Sequence, residues 1–222
     1  MIDLLTNRQG WVMNVESAVL KRYSQGANER QEALCCPVDY DQDLLKILPQ
    51  EILEKDYGCG DPSRFVHAGD VVLDLGSGGG KICYLAAQLV GPEGRVIGVD
   101  MNDDMLALAR KYQAEMAAKL GGDRVKFVKG RIQDLALDIE AMTDWLREHP
   151  VPDIECLAEL ELWQAGQRSR RPLIADNSVD LVISNCVLNL VSDAEKQQLV
   201  NGIYRVLKPG GRMAISDVVC DE

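Results

Sequence analysis

From Asp70 onward, short apolar runs rich in β-branched residues alternate with stretches of helical periodicity, and this alternation constrains the fold more than any other feature. Strands are expected at residues 71–75, 95–99, 125–128, 180–184 and 211–219, and helices at 82–89, 105–120 and 194–207. Such alternation is typical of βαβ units, in which neighbouring strands run parallel. The chain is therefore predicted to have an α/β fold with a mostly parallel sheet.

The segment before this alternation has a different sequence pattern. Residues 1–69 predict a helical amino-terminal extension, because apolar residues at helical spacing run from Val12 to Tyr23 and again from Leu44 to Ile52. Residues 70–222 form the predicted core. The chain is thus expected to consist of one larger domain with a helical segment in front of it.

The connection between the third and fourth predicted strands, residues 135–178, is longer than ordinary connections in compact domains. A structureless loop of this length is uncommon, so at least one helix is expected inside this insertion. Its basic run, Arg168 to Arg171, is interpreted as a solvated turn.

Composition and charge exclude several classes of function. The 222 residues include 24 basic and 35 acidic ones, a net charge of −11, which disfavours binding to nucleic acids or anionic membranes. No apolar run approaches the roughly 20 residues that span a bilayer, and no signal-peptide pattern opens the chain. Seven cysteines in such a chain indicate reduced thiols rather than a disulfide framework. We expect a soluble, cytoplasmic protein.

A glycine-rich loop follows the first predicted strand, where residues 74–81 read DLGSGGGK. Glycines at 76, 78 and 80 predict close approach of the backbone to a ligand, with tight packing of helix against strand as the alternative. The dinucleotide fingerprint needs a glycine where Lys81 stands, and the ending of a nucleoside triphosphate loop is absent too. Both of those nucleotide classes are therefore disfavoured.

Asp100 ends the second predicted strand, twenty residues after Gly80. In nucleotide-binding α/β folds, a carboxylate at this place accepts hydrogen bonds from both ribose hydroxyls. Asp100 could instead cap the next helix, although Asn102 is equally suited to that role. We favour the ligand role, because loop and acid both lie at the carboxyl ends of parallel strands, where such sheets open their crevice.

These segments resemble the class I S-adenosylmethionine methyltransferases. Residues 71–80 are similar to their first motif, 98–101 to the acid after their second strand, and 207–211 to the loop before strand five. The resemblance covers residues 70–219. It implies a Rossmann-like fold that binds S-adenosylmethionine.

The resemblance implies a cofactor that lies across the sheet, with its methionine end at the glycine loop, its ribose on Asp100 and its adenine against Met101. Amides of the loop and of the following helix would favour its carboxylate, and Asp74 would hold its ammonium. The implied cofactor residues are Asp74, Gly76, Ser77, Gly78, Gly80, Asp100, Met101, Ile132, Gln133 and Asn185. For Met101, Ile132 and Gln133, ordinary packing or solvation stays open as the alternative.

Two cysteines are expected to meet near this crevice. Cys59 lies in an irregular Gly-Cys-Gly loop before the first strand, and Cys186 follows the fourth strand at its carboxyl end. Thiolates suit thiophilic ions, whereas two histidines and no paired CxxC motif argue against a structural zinc site. Each cysteine could instead be a small buried hydrophobe, which is the interpretation favoured for Cys83 and Cys156.

Four segments together resemble the arsenite methyltransferases. They are residues 57–60 (YGCG), 74–78 (DLGSG), 98–101 (GVDM) and 184–190 (SNCVLNL), the last being the most specific. The resemblance implies methyl transfer from S-adenosylmethionine to trivalent arsenic held by the Cys59 and Cys186 thiolates. It also implies Cys35 or Cys36 as a further thiol, with Tyr23 as an aromatic residue near it.

The pattern of the family continues beyond strand five, where the resemblance of this sequence ends. Class I sheets normally add a strand pair after strand five, and arsenite methyltransferases carry a further ligand cysteine and a carboxyl-terminal domain there, so the final strand pair is expected to be missing. Cys220 is then a fallback for the third thiolate. Two explanations stay open: a fragment of a longer enzyme, which we favour, or a short version that uses Cys35 or Cys36. The exposed edge of strand five predicts a homodimer or amino-terminal helices folded over it.

The sequence leaves three functions open. The first is methylation of arsenite, bound as a thiol adduct. The second is methyl transfer to a small organic acceptor, with the cysteines only packing, and the third is a non-catalytic protein that binds S-adenosylmethionine or a metalloid. No nucleic-acid or membrane partner is expected.

Overall fold

The computed structural model describes residues 15–28, 38–55 and 57–218. The strands are β1 (Val71–Leu75), β2 (Arg95–Asp100), β3 (Val125–Lys129), β4 (Val179–Asn185) and β5 (Leu207–Ser216). The α-helices are α1 (Val15–Asn28), α2 (Gln42–Leu45), α3 (Gln50–Glu54), α4 (Lys81–Leu89), α5 (Asp103–Lys111), α6 (Gln113–Leu120), α7 (Ile139–Glu148), α8 (Ile154–Arg170) and α9 (Asp193–Val206). None of these helices is long and apolar enough to cross a membrane.

The strands form one parallel sheet in the order β3-β2-β1-β4-β5. β1 pairs with β2 on one side and with β4 on the other, so the order of strand addition reverses between β1 and β4. In open α/β sheets, ligands bind outside the carboxyl ends of the strands at such a switch point. The predicted α/β, Rossmann-like fold with a mostly parallel sheet is confirmed.

Both faces of the central strands β1 and β4 are buried. Val72 and Leu181 pack in one apolar cluster with residues of α4 and α5, while Leu73 and Val182 pack in a second cluster with residues of α9. Strands covered on both faces are apolar at successive positions rather than at alternate ones. This is why the central strands could be recognised in the sequence as continuous apolar runs.

The helix predicted over 105–120 is two helices, α5 and α6. Tyr112 lies between them with non-helical backbone angles (φ −101°, ψ 1°), and its hydroxyl donates to the Glu51 carboxylate at 2.5 Å. Local propensity is helical across this segment, so the sequence around Tyr112 gave no sign of the break. The prediction of one continuous helix is wrong at this residue.

Strand five also differs from its predicted range of 211–219. Leu207 already pairs with Val179, and regular pairing resumes at Arg212. The residues between them bulge out of the strand, with Gly210 at φ +81°. Segment 207–211, which has the composition of a loop, therefore lies within β5.

Strand β5 lies at one edge of the sheet. Among the described residues no strand follows β5, whose one strand partner is β4. In the described part of the amino-terminal segment, α1 packs against α5 and α2 against α4, while the 3-10 helix Pro62–Phe65 contacts both β4 and β5. A cover over the outer edge of β5, by amino-terminal helices or by a homodimer, stays a prediction.

The insertion between β3 and β4 contains two helices, α7 and α8, in agreement with the expectation of at least one. Arg168 and Arg170 lie in the last turn of α8, so the interpretation of this basic run as a solvated turn is wrong. Cys156 lies in the first turn of α8 and is half-exposed, which corrects its assignment as a buried hydrophobe.

Glu51 connects the amino-terminal segment to the core. Its carboxylate accepts hydrogen bonds from Lys111 Nζ at 2.6 Å and Tyr112 Oη at 2.5 Å, and it lies 2.9 Å from Lys55 Nζ. These donors, Lys111 above all, lower the pKa of Glu51 from 4.5 to about 2. Helix α3 is thereby attached to the junction of α5 and α6.

We expect Glu51 to stabilise the fold above its unfolded pKa of 4.5 and to lose this contribution as the pH falls towards its folded pKa of about 2. The unfolded chain binds more protons in this window, so the free energy of unfolding rises with pH across it. In Glu51→Gln, the loss of stability between about pH 5 and pH 3 should shrink by up to about 1 kcal/mol, after allowance for solvent screening. Urea unfolding measures this difference. Glu54→Gln, on the exposed side of α3, is the control, and equal pH dependence in wild type and Glu51→Gln would refute the prediction.

Candidate functional site

A cavity of about 240 Å³ opens at the carboxyl ends of β1, β2 and β4. Helix α1 closes one side of it through Val19, Leu20 and Tyr23. The predicted site residues that line it are Asp74, Gly76, Ser77, Gly78, Asp100, Met101, Ile132, Gln133, Asn185 and Cys186. The cavity therefore lies where the sheet topology places a ligand crevice.

Helix α1 is attached to the core beside this cavity. Asn102 Nδ2 donates to the Leu20 carbonyl and to Ser24 Oγ, both at 3.1 Å. Tyr57 Oη donates to the Gly26 carbonyl at 2.9 Å. The amphipathic pattern predicted this helix, but it did not indicate that the helix forms a wall of the crevice.

The three predicted loop glycines all have left-handed backbone conformations, with φ of +74° at Gly76, +52° at Gly78 and +87° at Gly80. A Cβ at Gly76 would lie 2.6 Å from the Val187 side chain, and one at Gly80 would lie 2.8 Å from Phe127. A Cβ at Gly78 would meet nothing within 4 Å. Gly76 and Gly80 thus serve close packing inside the protein, whereas Gly78 borders open space in the crevice.

Most of the backbone N–H groups of the glycine loop donate hydrogen bonds to acceptors inside the protein. The N–H groups of Gly76 and Ser77 both donate to the Val99 carbonyl, at 2.8 and 3.0 Å, and that of Gly78 donates to Asp100 Oδ2 at 2.8 Å. These three amides already have acceptors inside the protein, so the expectation that backbone amides bind the cofactor carboxylate stays a prediction for the rest of the loop and the start of α4. The first-turn amides of α4 have no acceptor inside the helix, and Lys81 at its start lines the cavity.

Asp100 shapes the loop as well as facing the cavity. Its two carboxylate oxygens accept from the N–H groups of Gly78 and Asn102, each at 2.8 Å. The Asn102 side chain caps α5 by accepting from Asp104 and Met105, so Asp100 is not the cap. Burial raises the pKa of Asp100, and the hydrogen bonds from backbone amides oppose this shift.

Asp74 lines the cavity from β1 and is almost fully buried. Cys83 Sγ donates to Asp74 Oδ2 at 3.2 Å. Burial, reinforced by the Asp74 charge, raises the pKa of the Cys83 thiol well above 9.0, so this thiol stays protonated. Cys83 is the buried residue that the sequence predicted, and it also positions Asp74.

The far wall of the cavity contains one carboxylate that sequence reasoning missed. Met101, Ile132 and Gln133 line the cavity as the resemblance implies, and Gln133 Nε2 donates to Glu195 Oε1 at 3.3 Å. Ser192 Oγ donates to the other Glu195 oxygen at 2.6 Å, and these contacts lower the pKa of Glu195. Gln133 is therefore oriented by a charged group, which no local motif indicates.

Cys59 and Cys186 meet beside the cavity. They are 127 positions apart in the sequence, yet their Cα atoms lie 5.8 Å apart and their sulfur atoms are joined in a disulfide. The predicted meeting of the two cysteines is confirmed, whereas the bond itself departs from the expectation of reduced thiols. Cys186 has φ +58°, a conformation rare outside glycine, and its N–H donates to the Ser216 carbonyl at 2.8 Å.

Asn185 holds the Cys59 loop against the end of β4. Its Oδ1 accepts from the N–H groups of Cys59 and Gly60 at 2.9 and 3.0 Å, and its Nδ2 donates to the Gly60 carbonyl at 2.7 Å. A Cβ at Gly58 would clash with the Asn185 amide, and one at Gly60 would clash with Ser216. The side chain predicted to contact cofactor thus positions a cysteine loop, and its cofactor contact stays a prediction.

The two other cysteines that the structure describes, Cys83 and Cys156, do not join this pair. Cys83 is buried behind Asp74, and Cys156 lies on α8. Cys35, Cys36 and Cys220 lie outside the described residues, so their assignment as a third thiol stays a prediction. Within the described ranges, no three histidine, cysteine, aspartate or glutamate side chains cluster as metal ligands would.

Tyr23 lines the cavity from α1, on the side that the resemblance implies for an aromatic residue. Its ring packs edge-to-face on Tyr57, with 6.2 Å between the ring centroids. Burial raises the pKa of the Tyr23 phenol, and the Asp100 charge adds to this shift. Tyr23 therefore contributes a neutral hydroxyl and an aromatic ring to the lining of the cavity.

The residues present fit S-adenosylmethionine. Ser77 Oγ is buried against the cavity without a hydrogen-bond partner within the described structure, and a buried hydroxyl in that state favours a polar ligand atom beside it. Gly78 leaves room for that ligand, and Asp100 offers an acceptor of the kind that ribose hydroxyls need.

Known proteins with similar sequences are methyltransferases. Two families, both described as a methyltransferase domain, match residues 66–148 and 157–215. An arsenite methyltransferase of Halobacterium salinarum is 42% identical over 164 residues, covering 73% of this chain and 31% of that protein. One of Aquipseudomonas alcaligenes is 35% identical over 201 residues, covering 89% and 48%. The chain spans less than half the length of either relative.

Solved structures share the fold. A crystal structure of an arsenic (III) S-adenosylmethionine methyltransferase from Chlamydomonas reinhardtii has a TM-score of 0.60 at 35% identity, covering 82% of this chain and 50% of that one. A phosphoethanolamine N-methyltransferase of Haemonchus contortus, at 16% identity and a TM-score of 0.51, covers 92% of this chain and 33% of its own and shows the fold alone. The chain belongs to the class I S-adenosylmethionine-dependent methyltransferases, and among them it is similar to the arsenite methyltransferases.

Proposed function

We propose that this chain transfers a methyl group from S-adenosylmethionine to trivalent arsenic. The observation that carries the proposal is the meeting of Cys59 and Cys186 beside a crevice that suits the cofactor. Two thiolates are a soft donor pair of the kind that thiophilic ions prefer. The names of the curated relatives, arsenite methyltransferases, support the same substrate.

In this proposal different residues of the crevice bind different parts of the cofactor. Asp100 binds the ribose, and Met101 and Ile132 contact the adenine. Asp74 holds the ammonium of the methionine end, and Ser77 Oγ donates to or accepts from the adjacent polar atoms. The buried Asp74 carboxylate and the half-buried Asp100 carboxylate also favour the positive charge of a sulfonium, because burial reduces screening.

The two thiolates contribute to the reaction by holding arsenic in position. S-Adenosylmethionine supplies, when bound, a methyl carbon activated by its sulfonium. Once a small-molecule thiol has reduced their disulfide, being itself oxidised to a disulfide, Cys59 and Cys186 hold arsenic with its lone pair towards that carbon at a near-attack distance of about 3 to 3.5 Å. The arsenic lone pair forms the As–C bond while the S–C bond breaks and its electrons stay on sulfur. Arsenic is formally oxidised by two electrons, no proton moves, and no general base is needed.

Three finer points belong to the same proposal. Residues 1–69 form a substrate-side extension, and residues 70–222 form the cofactor-binding core with an insertion at about 135–178. Arsenite arrives as a thiol adduct, whose thiols exchange with those of the protein. A third thiolate from Cys35 or Cys36 completes the arsenic coordination, with Cys220 as the alternative.

The direct test is transfer of labelled methyl from S-adenosylmethionine to arsenite by the reduced chain. We expect the label in methylated arsenic, with S-adenosylhomocysteine as the second product. Labelling of a small organic acceptor but not of arsenite would replace the proposal by the more general methyltransferase. Tight cofactor binding with no transfer to any acceptor would favour a binding protein instead.

Asn185→Ala is expected to weaken arsenic binding about 10-fold and to weaken S-adenosylmethionine binding by a smaller factor. The substitution removes three hydrogen bonds that hold the Cys59 loop, each worth about 0.5 to 1.5 kcal/mol. Equilibrium dialysis with arsenite and calorimetry with the cofactor separate the two effects. Asn185→Asp keeps both acceptor contacts but places a carboxylate oxygen against the Gly60 carbonyl, so it should recover only part of the arsenic affinity. A loss confined to cofactor affinity would show that Asn185 acts on the cofactor instead.

A further inference from the structure

The glycine loop, residues 74–81, begins with an acid and ends with a base. Asp74 is 2% exposed, and Lys81, which begins α4 directly after Gly80, is 8% exposed. Both residues line the cavity. Burial of an ammonium is costly, and a positive charge in the first turn of a helix opposes the helix dipole. The stability of α4 therefore does not explain why a lysine stands at this position.

The ring of Tyr40 holds the Lys81 ammonium beside the loop. Lys81 Nζ lies 3.6 Å from the centroid of this ring, in a cation–π contact, and Tyr40 is itself buried. Tyr40 Oη donates to the Gly60 carbonyl at 3.1 Å, so the ring is attached to the loop that contains Cys59. Surface lysines keep their ammonium in water, whereas this one is held inside the protein. Because an ammonium has three N–H donors, it can contact a ring and bind a carboxylate at the same time.

The glycine loop provides few backbone donors for a ligand carboxylate. The N–H groups of Gly76, Ser77 and Gly78 have acceptors inside the protein, and that of Gly80 donates to the Ser77 carbonyl at 2.9 Å. The Ser77 hydroxyl, in contrast, is buried against the cavity without a partner in the described structure, which indicates a polar ligand atom at this end. A carboxylate at the loop therefore depends on Ser77 Oγ, on the first-turn amides of α4 and on basic side chains.

Two basic residues line the cavity within the described part of the chain, Lys55 and Lys81. Lys55 Nζ lies 2.9 Å from the Glu51 carboxylate, so a carboxylate of the protein already binds it. The acidic residues that line the same cavity are Asp74, Asp100 and Glu195. These negative charges repel a carboxylate ligand unless a cation lies next to it. Lys81, at the end of the glycine loop, is the residue that can supply this cation.

We infer that Lys81 binds the carboxylate at the methionine end of the cofactor and thereby selects against decarboxylated analogues. Asp74 for the ammonium and Lys81 for the carboxylate then form a matched pair at the two ends of one loop. Tyr40 is a positioning residue, since it contacts Lys81 and does not line the cavity. The inference rests on the placement of S-adenosylmethionine in the proposed function, and it adds a residue that determines which cofactor analogues bind.

Isothermal titration calorimetry of the whole chain tests this inference with two ligands, S-adenosylhomocysteine and its decarboxylated analogue, in which hydrogen replaces the carboxylate. Wild type should prefer S-adenosylhomocysteine by about 10- to 100-fold, the worth of hydrogen bonds between charged groups. In Lys81→Met this preference should fall to about 3-fold or less, because the side chain keeps its length without its charge. Lys81→Arg should retain most of the preference. Lys126→Met, on an exposed position of β3, is the charge-matched control and should keep the wild-type preference.

A third ligand shows whether the change concerns the carboxylate alone. S-Adenosylhomocysteine without its amino group lacks the contact proposed for Asp74, so Lys81→Met should disfavour it at least as strongly as wild type does. Lys81→Gln repeats the comparison if Lys81→Met does not fold.

Three results would overturn the inference: no preference in wild type, a wild-type preference that persists in Lys81→Met, or equal losses of preference against both analogues. In each case Lys81 would serve only to pack on Tyr40, and methyl transfer to arsenite would still stand. Failure of wild type to bind S-adenosylhomocysteine at all would overturn the cofactor placement in the proposed function together with this inference.

Discussion

Replacing Cys186 with serine is expected to lower the affinity of the reduced chain for trivalent arsenic by about 10²- to 10⁴-fold. Without the Cys186 thiolate, the As–S bond that it forms within the molecule is lost, together with its gain from linked binding. Cys59→Ser should have the same effect, because the two sulfur atoms meet at one point. Methyl transfer to arsenite should fall below detection in both variants.

The matched control for both serine variants is Cys156→Ser. Cys156 is a half-exposed thiol on α8, outside the residues that line the cavity, so its loss should leave arsenic affinity unchanged. S-Adenosylmethionine affinity should stay the same in all three variants, which shows that the fold is intact. Arsenic methylation that survives in Cys186→Ser would remove the proposed ligand role.

Asp100→Ala is expected to raise the dissociation constant for S-adenosylmethionine by about 10- to 100-fold. The substitution removes the acceptor for the ribose hydroxyls, and hydrogen bonds to a charged group are worth about 1.5 to 3 kcal/mol. It also frees the N–H groups of Gly78 and Asn102, which both donate to this carboxylate. Isothermal titration calorimetry measures the change, and Asp103→Ala, which removes an exposed acid at the start of α5, serves as the control.

Cofactor affinity should also depend on pH through Asp100. The ribose contacts need the ionised carboxylate, so affinity is full above the pKa of Asp100 and declines as the pH falls through it. Burial raises this pKa above the ordinary 3.8, so the decline begins at a higher pH than for an exposed aspartate. An affinity that is equal in wild type and Asp100→Ala at every pH would contradict the ribose assignment.

The parts of the site that could be predicted are those that local sequence determines. The glycine loop, Asp100 and the end of β4 each follow a strand that is recognisable from its apolar residues, and parallel strands bring their carboxyl ends together. Cys186 could be placed at the crevice on that ground. Cys59 precedes β1, and its place beside Cys186 was expected from the fold and site that the resemblance implies.

The parts that were missed depend on contacts between distant residues. Asn185 bonds to a backbone amide 126 positions away, and Tyr112 to a carboxylate 61 positions away. No local pattern contains such pairings, so neither the role of Asn185 nor the break between α5 and α6 could be foreseen. The same holds for α1, whose amphipathic pattern predicts a buried face but not the crevice that it closes.

The central claim is that Cys59 and Cys186 together hold arsenic at the cofactor crevice. Crystals of the reduced chain with arsenite and S-adenosylhomocysteine, measured at the arsenic absorption edge, test it most directly. The account predicts one anomalous peak within bonding distance of both sulfur atoms, on the side of the crevice. A peak at Cys83 or Cys156 with none between Cys59 and Cys186 would contradict it.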